Sequence, residues 1–348
     1  MISRIASLAA LAALFAGLGA AADRMPERAR LGGPPQLDAA VLLMAPSAGQ
    51  DWARVVADVR ASLGRRYLVE SGAASDVKSL QSAVDRLQAR KVKKIVAVPL
   101  LLSSHSAEMD ENRYLFGIRE KPSEAFLGGS HAHSGYSLVR RIRAKVPVVL
   151  TDGLDDHPVF AEILTDRALT QSKDASRESV VLVVPSFERD LANSQWAGTI
   201  SALADRVRKT THFMSVQTVF LPEDSAQSGR DKSEKILRET IRTLAETGRV
   251  IVVPLSLSRG PERRLRKLFE GLFVRFDGKA ALPDKKICRW VEESLAKGAK
   301  LPDMRAYTKD EAPPAPPRQG RLSRPLLAPP SKAATSGEGR PESGSEAP

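Results

Sequence analysis

The sequence predicts an α/β protein made of two tandem doubly wound halves, each a parallel four-stranded sheet, with a cleft between them. Three observations predict it. Short β-branched runs alternate with amphipathic stretches between about residues 38 and 298, the pattern of parallel strands joined by crossover helices. The same order runs through twice, on either side of a polar linker at Asp174–Glu178. Residues recur with it: Pro46, Ser47 and Asp51 are matched by Pro185, Ser186 and Asp190 at a single offset of 139. Pro99 and Ser103 are likewise matched by Pro254 and Ser258, and Asp152-Gly153 by Asp277-Gly278, as a duplicated unit would require.

In chain order, residues 1–22 read as an export signal: Arg4 precedes an uncharged Ala- and Leu-rich run that ends in an A-x-A pattern at Ala20 and Ala22. The run contains Gly17 and Gly19 and falls short of the ~20 apolar residues that span a bilayer, so cleavage and a periplasmic destination are expected. Membrane contact is expected only through this segment, if it stays uncleaved. The first half, 38–172, is assigned strands at 39–44, 66–70, 94–102 and 146–150. Trp52, Val55, Val56, Val59 and Leu63 share one helical face between the first two strands; Val77, Leu80, Val84 and Leu87 share another before the third. His157-Pro158 opens a further helix, with Pro at the first helical position. The second half, 178–298, is assigned strands near 179–184, 214–220, 249–257 and 272–276. From Leu301 to Pro348 the composition changes. Aromatic residues stop at Tyr307 and nine of the 23 prolines follow it, so a disordered tail is expected, with a polyproline ligand at 313–317 as the alternative.

Composition narrows the function classes. A single cysteine, Cys288, excludes an internal disulfide framework and a zinc site built from Cys pairs. The 53 Lys and Arg against 41 Asp and Glu leave a net charge of +12, concentrated in two runs, Arg140–Lys145 and Arg263–Lys267. Both have helical spacing and no interleaved aromatics, so nucleic acid is not an expected partner; positive cleft walls would suit a polyanionic small molecule. No glycine-rich nucleotide motif, zincin motif or serine-hydrolase elbow is present, and no nucleotide cofactor is expected.

Ligands of open parallel sheets lie beyond the carboxyl ends of the strands, which makes the loops there the places to search. Four of the five histidines, His105, His131, His133 and His157, fall on such loops in the first half. His105 follows the third strand directly, with Glu108, Asp110 and Glu111 close behind. Imidazole with carboxylates suits Co²⁺, Ni²⁺, Fe²⁺ or Zn²⁺ better than Mg²⁺. From spacing alone, His105 reads equally as a metal or proton-transfer group and as a loop residue followed by a solvated helix start. His131 and His133 lie in a Gly-rich loop, Gly128–Gly135, that reads as a metal-delivering lid or as plain surface, and His157 reads as a ligand or as a neighbour of a helix cap.

Two doubly wound halves, the segment Val-x-Val-Pro-Leu-x-Leu-Ser-Ser-His at 96–105 and Asp-Gly-Leu-Asp-Asp-His-Pro at 152–158 together resemble the sirohydrochlorin cobaltochelatase and ferrochelatase family. The resemblance covers about residues 38–298 and implies insertion of a divalent metal, cobalt, nickel or iron, into an anionic tetrapyrrole without ATP. It implies that His105 binds the metal and helps remove pyrrole protons, with Glu108 and Asp110 as the assisting acids. Ser47, Ser103 and Ser104, at the ends of the first and third strands, are the expected tetrapyrrole-side contacts. The family carries a second metal-binding His in a His-Gly-Ser turn after the first strand, where this sequence has Ala45-Pro46-Ser47. His131, His133 or His157 is therefore expected to complete the metal site. The alternatives are an exported, non-catalytic binding protein for metal or haem-like ligands and an envelope protein that docks through its Pro-rich tail.

Overall fold

The structure is a computed structural model that describes residues 38–45, 50–122, 140–186, 194–222, 226–258 and 262–308. The first sheet holds β1 (Ala40–Ala45), β2 (Val69–Ala73), β3 (Ile95–Pro99) and β4 (Val148–Leu150). All its pairings are parallel, in the order β2-β1-β3-β4. The second holds β5 (Glu178–Ser186), β6 (Ser215–Pro222), β7 (Arg249–Pro254) and β8 (Val274–Arg275), again parallel, in the corresponding order β6-β5-β7-β8. The crossover helices are α1 (Gln50–Leu63), α2 (Val77–Ala89), α3 (Ala107–Leu115), α4 (Pro158–Gln171), α5 (Ser194–Thr210), α6 (Gln227–Ala245), α7 (Glu262–Leu268) and α8 (Ile287–Ala299).

Alternation along β1 sends Val41 and Leu43 to one core and Ala40, Leu42 and Met44 to another, so the strand is apolar throughout because both its faces are covered. The outer core of the first sheet takes Leu80, Val84 and Leu87 from α2; that of the second takes Leu237 and Ile241 from α6 with Leu265 from α7. The two inner faces share one central core, in which Trp52, Phe160, Trp196 and Trp290 lie with Val96 and Val98 of β3 and Val180 and Leu182 of β5.

That shared core corrects the division into consecutive halves at 38–172 and 178–298. α4, at the end of the first half, packs on α5 and β7 of the second sheet, and α8, at the end of the second, packs on α1, β3 and β4 of the first. Each sheet is completed by the last helix of the other half. The seat of α8 is tight: a Cβ on Gly298 would lie 2.6 Å from Cγ1 of Val96, so a glycine is what allows this helix to approach β3.

Four local expectations are also corrected. The second strand runs Val69–Ala73 rather than 66–70, because Arg66 and Tyr67 donate their N–H groups to the Leu63 carbonyl and finish the α1 turn. As an edge strand it carries half-buried Glu70 and Ser71, which hides its period in the sequence. The ladder of β3 ends at Pro99, but residues 100–102 stay bonded: Leu100 N–H to Met44 O, and Leu101 and Leu102 carbonyls to the N–H groups of Leu154 and Asp155. Leu255, Ser256 and Leu257 make the same three bonds with Val183, Ala281 and Leu282. This equivalence sets Leu154 opposite Ala281, an offset of 127, so the two Asp-Gly steps, 125 apart, are not in register. Finally, the basic run from Arg140 is not helical; Gln81 accepts the Arg143 N–H at 2.7 Å and donates to its carbonyl at 2.9 Å.

Residues 301–308 dock beside the first sheet rather than belonging to a disordered tail. Lys94 donates to the Ala299 and Leu301 carbonyls at 2.6 and 2.8 Å, Met304 N–H bonds Val148 O, and Arg305 reaches the Ala144 and Val146 carbonyls at 2.7 and 2.9 Å. The Arg141 guanidinium lies 5.0 Å from the Tyr114 ring centre and 5.9 Å from that of Tyr307. The expected export signal and the chain from residue 309 onward lie outside the described residues. Among the described residues no helix is long and apolar enough to cross a membrane.

Candidate functional site

The site begins with a turn that bonds to itself. Ser103 Oγ accepts the N–H of His105 at 3.0 Å, Ser106 Oγ donates to the Ser103 carbonyl at 3.0 Å, and the same Oγ caps α3 by accepting the Met109 N–H. Pro99 ends the β3 ladder and Ser106 starts α3, so the residues between them turn outward at the carboxyl end of the sheet. From the other side, Asp155 takes the N–H of Ser104 at 2.8 Å and its hydroxyl at 2.5 Å.

His105 is exposed on this turn and lines a cavity of about 180 Å³ with Leu101, Leu102, Ser103, Ser106 and Glu108. Pro185 and Trp196, from β5 and the start of α5, close it from the second sheet. The cavity therefore lies in the expected cleft between the two sheets, which brings together His105 and Glu108 as the sequence predicts. The Glu108 carboxyl is pushed up to about 7, first by burial and then by the neighbouring charge of Glu111. A carboxyl shifted toward neutrality in a cavity that an imidazole also lines is suited to proton transfer.

Other predicted residues go elsewhere. Asp110 faces Arg113 at 2.9 Å and Arg119 at 2.7 Å, an arginine pair that spends its carboxylate. His157 caps α4 by accepting the Val159 N–H on Nδ1 and sets Nε2 3.0 Å from Glu293 of α8, so both its ring nitrogens are engaged by the protein itself. Ser104 is buried, its hydroxyl donating to Asp155 and accepting the Gly153 N–H at 2.8 Å, which leaves it no hydrogen to offer a ligand. Ser103 reaches the cavity wall. Ser47, His131 and His133 lie outside the described residues. Among the described residues no three His, Cys, Asp or Glu side chains are grouped to hold a metal ion.

Among the described residues that line this cavity there is no Lys or Arg. Arg143 and Lys145 sit on a different surface, beside α2 and Arg305, and Arg264 and Arg266 of α7 pair with Glu234 and Glu262 at 2.7 Å each. Pro185, Trp196 and Asp155 were not among the residues the sequence singled out for the site. Pro185 had a signal, its match to Pro46, while Trp196 had only its place near the start of a helix after a strand.

No protein-family model matches the chain, and no curated protein matches it. Among solved structures it is similar to SirB from Bacillus subtilis with Fe³⁺, at 13% identity and a TM-score of 0.54, over 77% of this chain and 99% of that one. It is also similar to the sirohydrochlorin chelatase SirB from Bacillus subtilis subspecies spizizenii in complex with cobalt, at 13% identity and a TM-score of 0.49, over 76% and 98%. A further similar structure is CbiX, the terminal enzyme for siroheme biosynthesis in denitrifying bacteria, at 14% identity and a TM-score of 0.45, over 76% and 99%. The first of these shows a chelatase-like α/β fold, and at this identity it shows the fold alone.

Proposed function

We propose that this chain is an exported chelatase-like protein that binds a divalent metal substrate through His105 and passes it into a tetrapyrrole of the sirohydrochlorin type. One observation carries the reading: His105 and Glu108 share a cavity at the carboxyl end of β3, facing Pro185 and Trp196 across the cleft of a chelatase-like fold. Metal insertion exchanges two N–H protons of the tetrapyrrole for one M²⁺. A carboxyl that titrates near neutrality is matched to accepting one of these protons, and the imidazole offers a lone pair to the metal before transfer. The apolar walls, Leu101, Leu102, Pro185 and Trp196, suit the flat face of a conjugated ring.

The test follows the visible absorption of sirohydrochlorin with Co²⁺ against the uncatalysed rate, for the protein and for His105→Ala and Glu108→Gln. An acceleration abolished by His105→Ala and reduced about 10²-fold by Glu108→Gln supports the reading. In the same series, the rate falls as pH drops below about 7 for the protein but not for Glu108→Gln.

A second reading has its own observation. Ala45 stands where a first-strand histidine is expected, and no group of three metal-binding side chains is formed among the described residues. These favour an exported binding protein of the same fold that holds metal or tetrapyrrole without turnover. Saturable binding lost in His105→Ala, with no acceleration of insertion, selects this reading over the first.

A further inference from the structure

We propose that Asp155 is the positioning residue of the His105 turn, holding it from the point where the chain crosses from the first sheet to the second. The inference rests on the reading of His105 as the metal-binding group. Three bonds from one residue bracket the segment that leads to His105. The Asp155 N–H donates to Leu102 O at 2.9 Å, Oδ1 accepts the Ser104 N–H at 2.8 Å and Oδ2 accepts the Ser104 hydroxyl at 2.5 Å. A carboxylate is acceptor-only and takes two donors side by side, and charge-assisted bonds of this kind are the stronger ones. The backbone of Asp155 stands at φ 45°, a left-handed position that Asp and Asn enter more readily than other side chains.

The two loops touch at backbone distance. A Cβ on Gly153 would lie 2.9 Å from Leu101 O and 3.1 Å from the carbonyl carbon of Ser103, while the Gly153 N–H donates to Ser104 Oγ. The anchor itself is held from several sides. Leu154 is buried, Asp152 lies 3.3 Å from Lys297 of α8, Asp156 lies 3.5 Å from Arg206 of α5, and His157 meets Glu293 of α8. Asp155 thus joins the turn that carries the exposed His105 to the elements that seat the exchanged helices. Preorganisation of a ligand by such a shell is what sets its geometry to within a fraction of an ångström.

The test uses the full chain and Co²⁺ alone as probe, with Asp155→Ala, Asp155→Asn and His105→Ala. Hydrogen exchange is read on peptides spanning residues 101–107 and on peptides from α1. Asp155→Ala is expected to weaken Co²⁺ binding about tenfold and to speed exchange over 101–107 while α1 stays protected. Asp155→Asn keeps an acceptor for the Ser104 N–H and is expected to fall between the two in both readouts. Unchanged exchange over 101–107 in Asp155→Ala overturns the proposal, and so does exchange restored in Asp155→Asn without recovery of affinity, which would assign the effect to charge. Co²⁺ binding that is equal in the protein and in His105→Ala instead removes the metal reading of His105, and the exchange comparison still decides whether Asp155 holds the turn.

Discussion

Replacing Glu108 by Gln should stabilise the protein at pH 8 and stabilise it much less at pH 5. In the folded protein burial and the charge of Glu111 raise this carboxyl from 4.5 to about 7, while in the unfolded chain it titrates at its ordinary value. Below about pH 4.5 both states carry the proton and the group has no effect on stability. Between about 4.5 and 7 the unfolded chain ionises and the folded one does not, so stability falls by about 1.4 kcal/mol for each pH unit crossed. Above 7 both states are ionised and the loss is complete, at about 3 kcal/mol from the pKa gap and about 2 kcal/mol after allowance for the partly exposed side chain. Glutamine has the same shape as the protonated acid and never ionises, so it avoids that loss. Urea unfolding at pH 5 and pH 8 measures it as the difference between the two proteins. If the stability of Glu108→Gln relative to the protein is the same at both pH values, Glu108 is not buried in its charged form and the argument for a near-neutral proton acceptor fails with it.

Gly298→Val should destabilise the protein by about 1–3 kcal/mol in urea unfolding, because even the first carbon of the new side chain meets Val96 at 2.6 Å. His157→Ala should cost about 1 kcal/mol, from the lost α4 cap and the contact with Glu293, and leave Co²⁺ affinity in a titration unchanged. The Asp303 carboxyl is held below its ordinary 3.8, first by the Arg305 side chain and then by backbone N–H groups that include that of Val148. Its contribution is therefore complete above 3.8 and lost progressively as pH falls below it, so Asp303→Asn should lower the melting temperature more at pH 7 than at pH 2.

The central strands and crossover helices were legible because both faces of each sheet are covered. That demand writes uninterrupted apolar runs such as Ala40–Ala45 and residues 250–254 into the chain and leaves amphipathic helices between them. β2 was misplaced for the converse reason: an edge strand with Glu70 and Ser71 half in solvent keeps little of that pattern. At the site, His105 and Glu108 were readable because both stand within nine residues of Pro99, where local geometry decides which way they face. Asp110 and His157 were not, since their partners Arg119 and Glu293 come from outside the turn or from 136 residues away.

The sequence alone therefore determined the class of fold and the place of the strand whose end carries His105 and Glu108, both of which are set by local periodicity and by residues close in the chain. The exchange of α4 and α8 between the sheets, the docking of 301–308 beside β4, the closing wall of Pro185 and Trp196 and the hold of Asp155 on Ser104 came from packing between distant segments. An amphipathic helix such as α8 records which of its faces is buried. It does not record against which sheet, because the hydrophobic effect is non-directional and the choice is made by shape, here by the space that Gly298 leaves for Val96.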